Sequence, residues 1–144
     1  MSNLTVGDAA IAVVRRNTEE VQGKGNWDLF EKLFSDDFVD HTPQPGTTPD
    51  KNGVRVLYKR LRAAFPDFRP EIHWQVAAGD LVTTYKTYHG THQGEFMGFG
   101  PTGRAVTFSG IWLARLNGGR LQEQWVSFDA LGLLRQLGAI PEPG

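Results

Sequence analysis

The chain has 144 residues, 40% of them hydrophobic and 22% charged, the balance expected of one soluble domain built around a single core. A formal net charge of -1 gives no general pull toward nucleic acid or an anionic membrane, so neither is expected as a partner. With no cysteine anywhere, disulfides, thiolate metal sites and cysteine nucleophiles are excluded.

At the N-terminus the apolar run "AAIAVV" is short, is flanked by acids and arginines, and has no basic region ahead of it. It reads as neither a secretion signal nor a membrane span, and a cytoplasmic location is the expectation. Thr5 followed by Asp8 has capping-box spacing, and Val6, Ala10, Val13, Val14 and Val21 fall near one face of a first helix. Asn26 is the expected N-cap of a short second helix with an apolar stripe of Leu29, Phe30, Leu33 and Phe34. The stretch "VDHTPQPGTTPD" reads as a loop, ending with Thr48 as a cap and Pro49 at the first position of a third helix. Val54, Leu57, Tyr58, Leu61 and Phe65 mark that helix, and "FPDF" stops it.

Beyond residue 68 the period changes from helical to alternating. Around "AGD" it predicts a hairpin, with Ile72, Trp74 and Val76 on one face of the first strand and Leu81, Thr83, Tyr85 and Thr87 on one face of the second. Two longer strands follow, joined by "NGG", whose residues accept the positive φ angles of a tight turn. A last short helix begins near Ala130. Helices first and strands after predict an α+β fold, with helices covering one face of a curved antiparallel sheet, in one domain over residues 1–144. The aromatics Trp74, Tyr85, Tyr88, Trp112, Trp125 and Phe128 on the strands favour a pocket for a flat or apolar small molecule.

Other candidate chemistry is thin. His89 and His92 form an H-x-x-H that a strand would splay to opposite faces, with no carboxylate pair to complete a metal site. The segment "GFGPTGR" lacks the Lys and Ser or Thr of a phosphate loop and reads as a turn. Asp36, Asp37 and Asp40 read as exposed loop acids, and no Ser sits in a nucleophile elbow. Asp129, between the last strand and the last helix, has two readings. It shares a strand face with Ser127, Trp125, Glu123 and Leu121, neither face being uniformly apolar, and it is also placed to cap the "ALGLLRQLG" helix. Gly132 at the third helical position supplies no reciprocal side chain for a capping box.

The blocks "FSDDFVDHTP", "GVRVLYKRLRAAFPDF" and "GTHQGEFMGFGPTGRAVTFSGIWLARLNGGRLQEQWVSFDALGLLRQLG" together resemble the SnoaL-like polyketide cyclases of the NTF2-like superfamily, over residues of about 10 to 138. The resemblance implies a cone-shaped α+β barrel, a hydrophobic small-molecule substrate, no metal or organic cofactor, and a homodimer or homotetramer formed through the sheet. It also implies a role for Asp129, since the acid four residues after Trp125 matches the general acid/base of characterised aromatic cyclases of that family. The implied reaction is an intramolecular aldol condensation of a polycarbonyl substrate, with an isomerase or dehydratase, or a binding module without chemistry, as alternatives. Substrate contacts are expected from His41, His92, Trp112, Gln124 and Trp125. Gln124 stands where the family often has a histidine, so a second titratable group is absent at that position.

Overall fold

Five strands, one more than the alternation predicts, form a single sheet in the computed structural model, which describes residues 5–140. Helix α1 (Val6–Arg16) runs into a π-helical segment (Asn17–Gln22), followed by α2 (Trp27–Leu33), β1 (Phe34–Asp40), α3 (Lys51–Ala64), β2 (Arg69–Ala78), β3 (Leu81–Thr91), β4 (Ala105–Asn117), β5 (Arg120–Phe128) and α4 (Ala130–Gln136). The sheet order is β1-β5-β4-β3-β2, antiparallel throughout except for β1 beside β5. This is the expected α+β cone, a curved sheet wrapped around the N-terminal helices.

The helix starts follow their capping chemistry. Thr5 and Asp8 form the reciprocal box, with Asp8 N–H donating to Thr5 Oγ1 at 3.0 Å and Thr5 N–H donating to Asp8 Oδ2 at 3.3 Å. Asn26 Oδ1 accepts from Leu29 N–H at 3.1 Å, as its position predicts. The third helix starts later than expected. Asp50, not Thr48, is its cap, accepting from Gly53 N–H at 2.9 Å, while the Thr48 hydroxyl donates to the same carboxylate at 2.6 Å. Pro49 lies outside the helix because its carbonyl accepts from Asp40 N–H at 3.1 Å, which ties the segment to β1.

Two bulges overturn the simple face assignments. On β2, Ile72 pairs with Lys86 and Trp74 with Tyr85, so His73 is an extra residue and the side chains before and after it change faces. Ile72 therefore faces inward, while Trp74, 47% exposed, and Val76 face outward with Ile111 of β4. On β5, Leu121 pairs with Leu116 but Glu123 pairs with Arg115, which makes Gln122 the extra residue. Leu121 consequently packs in the core, whereas Glu123, Trp125 and Ser127 share the outer face. On β3 the inward set is Val82, Thr84, Lys86 and Tyr88, so the face shared by Leu81, Thr83, Tyr85 and Thr87 is the outer one.

The core has two parts. Phe30, Phe34, Phe38 and Tyr58 pack edge to face or stacked beneath Val14, Val21 and Val82. Phe65, Phe68, Tyr88 and Phe108 pack with Leu133 and Leu137 of the last helix region. Burying large aromatic side chains of this kind contributes about 2 to 3 kcal/mol each. The cavity lies where the two parts meet, since Tyr58 belongs to the first and Tyr88 and Phe108 to the second.

Candidate functional site

Gln22, Asp40, Tyr58, Leu61, Tyr88, Phe108, Trp112, Gln124, Val126 and Phe128 contribute to a small cavity, roughly 50 Å³, that opens at its mouth to solvent. Alternation explains the contribution of β5, because Gln124, Val126 and Phe128 are the inward residues beyond its bulge. Gln44, Leu57 and Phe96 line both this cavity and a wider outer cleft flanked by Arg60, Glu95 and Met97. Apolar walls with a few polar groups are the usual composition of a small-molecule site.

Among the described residues, Asp40 is the one carboxylate in the cavity lining. The sequence reading of a loop acid is corrected here: Asp40 ends strand β1 and is only 5% exposed. The parallel register sets Asp40 beside Gln124, whose Nε2 donates to Asp40 Oδ2 at 3.1 Å. Thr42 N–H donates to Oδ1 at 2.9 Å, and the Thr42 hydroxyl approaches the same oxygen at 3.4 Å. Strand pairing and these donors hold the carboxylate rigidly at the wall. Its neighbours Asp36 and Asp37 differ: Asp36 pairs with Lys51 at 3.1 Å, and Asp37 accepts from Ser35 and Gln122 at the surface.

Beside the aromatic wall, against Trp112 and Tyr88, lies a buried polar network built around Lys86, which is 2% exposed. Its Nζ donates to Thr18 Oγ1 at 3.1 Å and to Gln22 Oε1 at 3.0 Å, and Tyr88 O–H donates to the same Gln22 oxygen at 2.8 Å. The Trp112 and Tyr88 rings lie 4.4 and 5.2 Å from the ammonium, within cation-π range. The π-helical turn makes this possible, since its widened backbone brings Thr18, Val21 and Gln22 all inward. Burial pushes the Lys86 ammonium down to about 7. Nearby, Asn17 Nδ2 donates to Tyr58 O at 3.0 Å; burial first, with a smaller contribution from Asp40, pushes the Tyr58 phenol up to about 12. Burial also raises the Tyr88 phenol, with Tyr58 adding to the effect.

The residues expected from sequence are dispersed. Trp112 and Gln124 line the cavity. Trp125 lies on the outer face of β5, stacked on His41 with ring centroids 4.5 Å apart, and His41 Nε2 contacts Glu123 Oε1 at 3.1 Å. The two rings thus form an outer surface cluster rather than a cavity wall. His92 is fully buried but outside the cavity lining, where its Nδ1 accepts from Thr102 N–H at 3.2 Å and fastens the segment between β3 and β4. Asp129 is exposed and caps α4, accepting from Gly132 N–H through Oδ1 at 2.9 Å. The face it would share with Trp125 is the outer one, so the carboxylate is not part of the cavity wall. Replacing Asp129 by Ala is expected to lower stability by about 1 kcal/mol, read as a shift in the urea midpoint with unchanged slope.

Asp40, Gln22, Tyr58 and Lys86 are absent from the site expected on sequence. Lys86 carried no discriminating signal: in "TTYKTYHG" it shares its strand face with Thr84 and Tyr88, but the other face bears Tyr85, and lysines are rarely interior. Nor did Asp40, since a strand ending in "FVD" is visible only once β5 is known to pair with it.

Several solved structures share this architecture. The proposed polyketide cyclase IdmH from Streptomyces antibioticus is 31% identical, with 90% of this chain and 98% of that chain covered and a TM-score of 0.78. A proposed polyketide cyclase from Acidithiobacillus ferrooxidans is 30% identical, with 96% and 99% covered and a TM-score of 0.80. An epoxide hydrolase of LEH-like type from M. tuberculosis, 19% identical with 94% and 93% covered and a TM-score of 0.70, shares the fold alone. No functionally curated protein matches the sequence. The profile of the SnoaL-like polyketide cyclase family matches residues 12–137, nearly the whole chain, and the protein belongs to that family.

Proposed function

We propose that the protein is a cofactor-independent enzyme of polyketide-cyclase type that enolises an apolar polycarbonyl substrate and closes a ring by intramolecular aldol condensation, with Asp40 as general acid/base. The observation that carries this reading is a rigid carboxylate that, among the described residues, stands alone in an otherwise neutral, largely apolar stretch of cavity wall. Family membership and the cyclase-type relatives support the reaction class.

The chemistry fits one carboxylate. Asp40 takes a proton from the carbon between two carbonyls; the resulting enolate carbon attacks a third carbonyl, and the proton returns from Asp40 to the alkoxide so formed. No redox partner or leaving group is involved. Gln124 and Thr42 hold the base in place, while Tyr58, whose oxygen accepts from Asn17, keeps its own O–H for a substrate oxygen. Phe108, Trp112, Val126 and Phe128 fold the substrate against the carboxylate and exclude water. The outer cleft, continuous with the cavity through Gln44, Leu57 and Phe96, accommodates the unreacted part of an elongated chain.

Within this reading Asp129 is a helix cap, and the role implied for it by family resemblance passes to Asp40. The test is turnover of a linear aromatic poly-β-ketone by Asp40→Asn and Asp129→Asn. Loss in the first with retention in the second supports the assignment; the reverse pattern restores Asp129. Enol-keto isomerisation or loss of water without ring closure would identify the isomerase or dehydratase alternative acting through the same carboxylate.

A further inference from the structure

Lys86 is a cation without an anion. Among the described residues no carboxylate lies within ion-pairing distance of its Nζ, and its hydrogen-bond partners are a threonine hydroxyl and an amide oxygen. A lysine buried in this way is costly unless something else uses the charge. Its effect on Gln22 is geometric. An ammonium only donates, so the atom of Gln22 facing it must be the oxygen, and Tyr88 O–H converges on the same atom. Both acceptor positions of that oxygen are thereby taken, and the group Gln22 turns to the cavity it lines is its N–H2, which also lies within reach of the Tyr58 phenol oxygen and keeps a second N–H.

We propose that the Lys86 and Gln22 pair is an oxyanion-recognition site, in which the fixed Gln22 N–H2 donates to a ligand oxygen and the Lys86 charge behind it favours the enolate form of a β-dicarbonyl over the neutral form. The proposal deepens the enolising reading of the cavity, on which it rests for the class of ligand, but it concerns Gln22 of the π-helical turn, which lines the cavity, and Lys86 of β3 behind it, rather than Asp40. A charge held at short range in a region of low dielectric and paired with no counter-ion interacts far more strongly with an oxyanion than it would in water. The depressed ammonium, at about 7, is the free-site counterpart, since a ligand anion would restore the proton. The titratable groups facing this part of the cavity are Tyr58 from α3, Tyr88 from β3 and Asp40 from β1, of which both phenols stay neutral at working pH.

The experiment measures binding, not turnover. Benzoylacetone, an aromatic β-diketone whose enolate has its own ultraviolet absorption, is titrated at neutral pH into Asp40→Asn and into the double variant Asp40→Asn with Lys86→Met; butyrophenone, a monoketone of similar size, is the neutral control. The single variant is expected to raise the enolate fraction of bound benzoylacetone at least tenfold over free solution, lowering its apparent pKa by about one unit or more. Addition of Lys86→Met abolishes that shift while butyrophenone binds both proteins equally. If Lys86→Met does not fold, Lys86→Gln serves with the same expectation, and Gln22→Met, which keeps the charge and removes the N–H2, is expected to lose part of the shift. An unshifted apparent pKa in Asp40→Asn, or a shift that survives removal of Lys86, overturns the proposal. Because Asp40 is absent from every arm, such a failure leaves the general acid/base assignment untouched, and retained turnover in Asp40→Asn would overturn that assignment alone.

Discussion

Asp40→Asn is expected to lower kcat by at least two orders of magnitude on a linear poly-β-ketone while leaving the fold intact. A general base that contacts the reacting carbon contributes about 10²- to 10⁴-fold, and the amide cannot take the proton. The amide is close to isosteric and still accepts from Thr42 N–H through its oxygen, so secondary structure and urea stability should change little. One contact is put at risk. Gln124 Nε2 now donates to Oδ2, and an amide nitrogen at that position would repel it unless Gln124 turns over, so the cost to stability is about 1 kcal/mol. Asp129→Asn is the paired control. Asn caps a helix about as well as Asp, and this substitution is expected to keep more than half of wild-type kcat. Steady-state turnover with circular dichroism on both variants separates a catalytic carboxylate from a capping one, and a profound loss in Asp129→Asn alone would return catalysis to the strand end.

Lys86→Met is expected to stabilise the protein at neutral pH and to flatten the alkaline side of its stability profile. In the unfolded chain the ammonium ionises near its ordinary value of 10.5, whereas in the fold burial brings it to about 7. Between those two values the unfolded state holds a proton that the folded state has released, so the stability of the wild type rises with pH across that window. Below about 7 both states are protonated and the penalty is fully present, on the order of 5 kcal/mol. Methionine fills similar volume without a charge, so the variant should recover much of that energy and lose the slope. It leaves the Gln22 oxygen with Tyr88 as its remaining donor, which limits the gain. Tyr58 acts in the opposite sense above pH 10, where the unfolded phenol ionises and the buried one stays neutral up to about 12. Urea unfolding between pH 7 and 9.5 therefore isolates the lysine. A wild-type profile flat over that range, or a Lys86→Met variant less stable than wild type at pH 7, would contradict the burial penalty. A charge buried at such a cost directly behind a cavity-lining residue is a place where function can be expected to have overridden stability.

Capping and periodicity were legible in the chain. The Thr5 and Asp8 box, the Asn26 cap, the α+β order and the tight turn at "NGG" depend on neighbours within a few residues, and each appears where local chemistry puts it. The Asp129 cap was one of two local readings, and geometry realises it through Gly132 N–H. What the sequence left undetermined was which strand face points inward. An extra residue at His73 and another at Gln122 each reverse the alternation, and nothing local announces them because a bulge is fixed by the partner strand. The same dependence hid Asp40. It looked like a loop acid until β1 paired in parallel with β5, some eighty residues away, and set the carboxylate against Gln124. Lys86, Thr18 and Gln22 are likewise joined only by a π-helical turn lying over β3. The amino-acid sequence by itself determined the fold class, the caps of the first two helices and the family, which rest on short-range pattern. Tertiary structure alone decided the cavity and its charges, because a side chain's environment is set by strands and helices far from it in the chain.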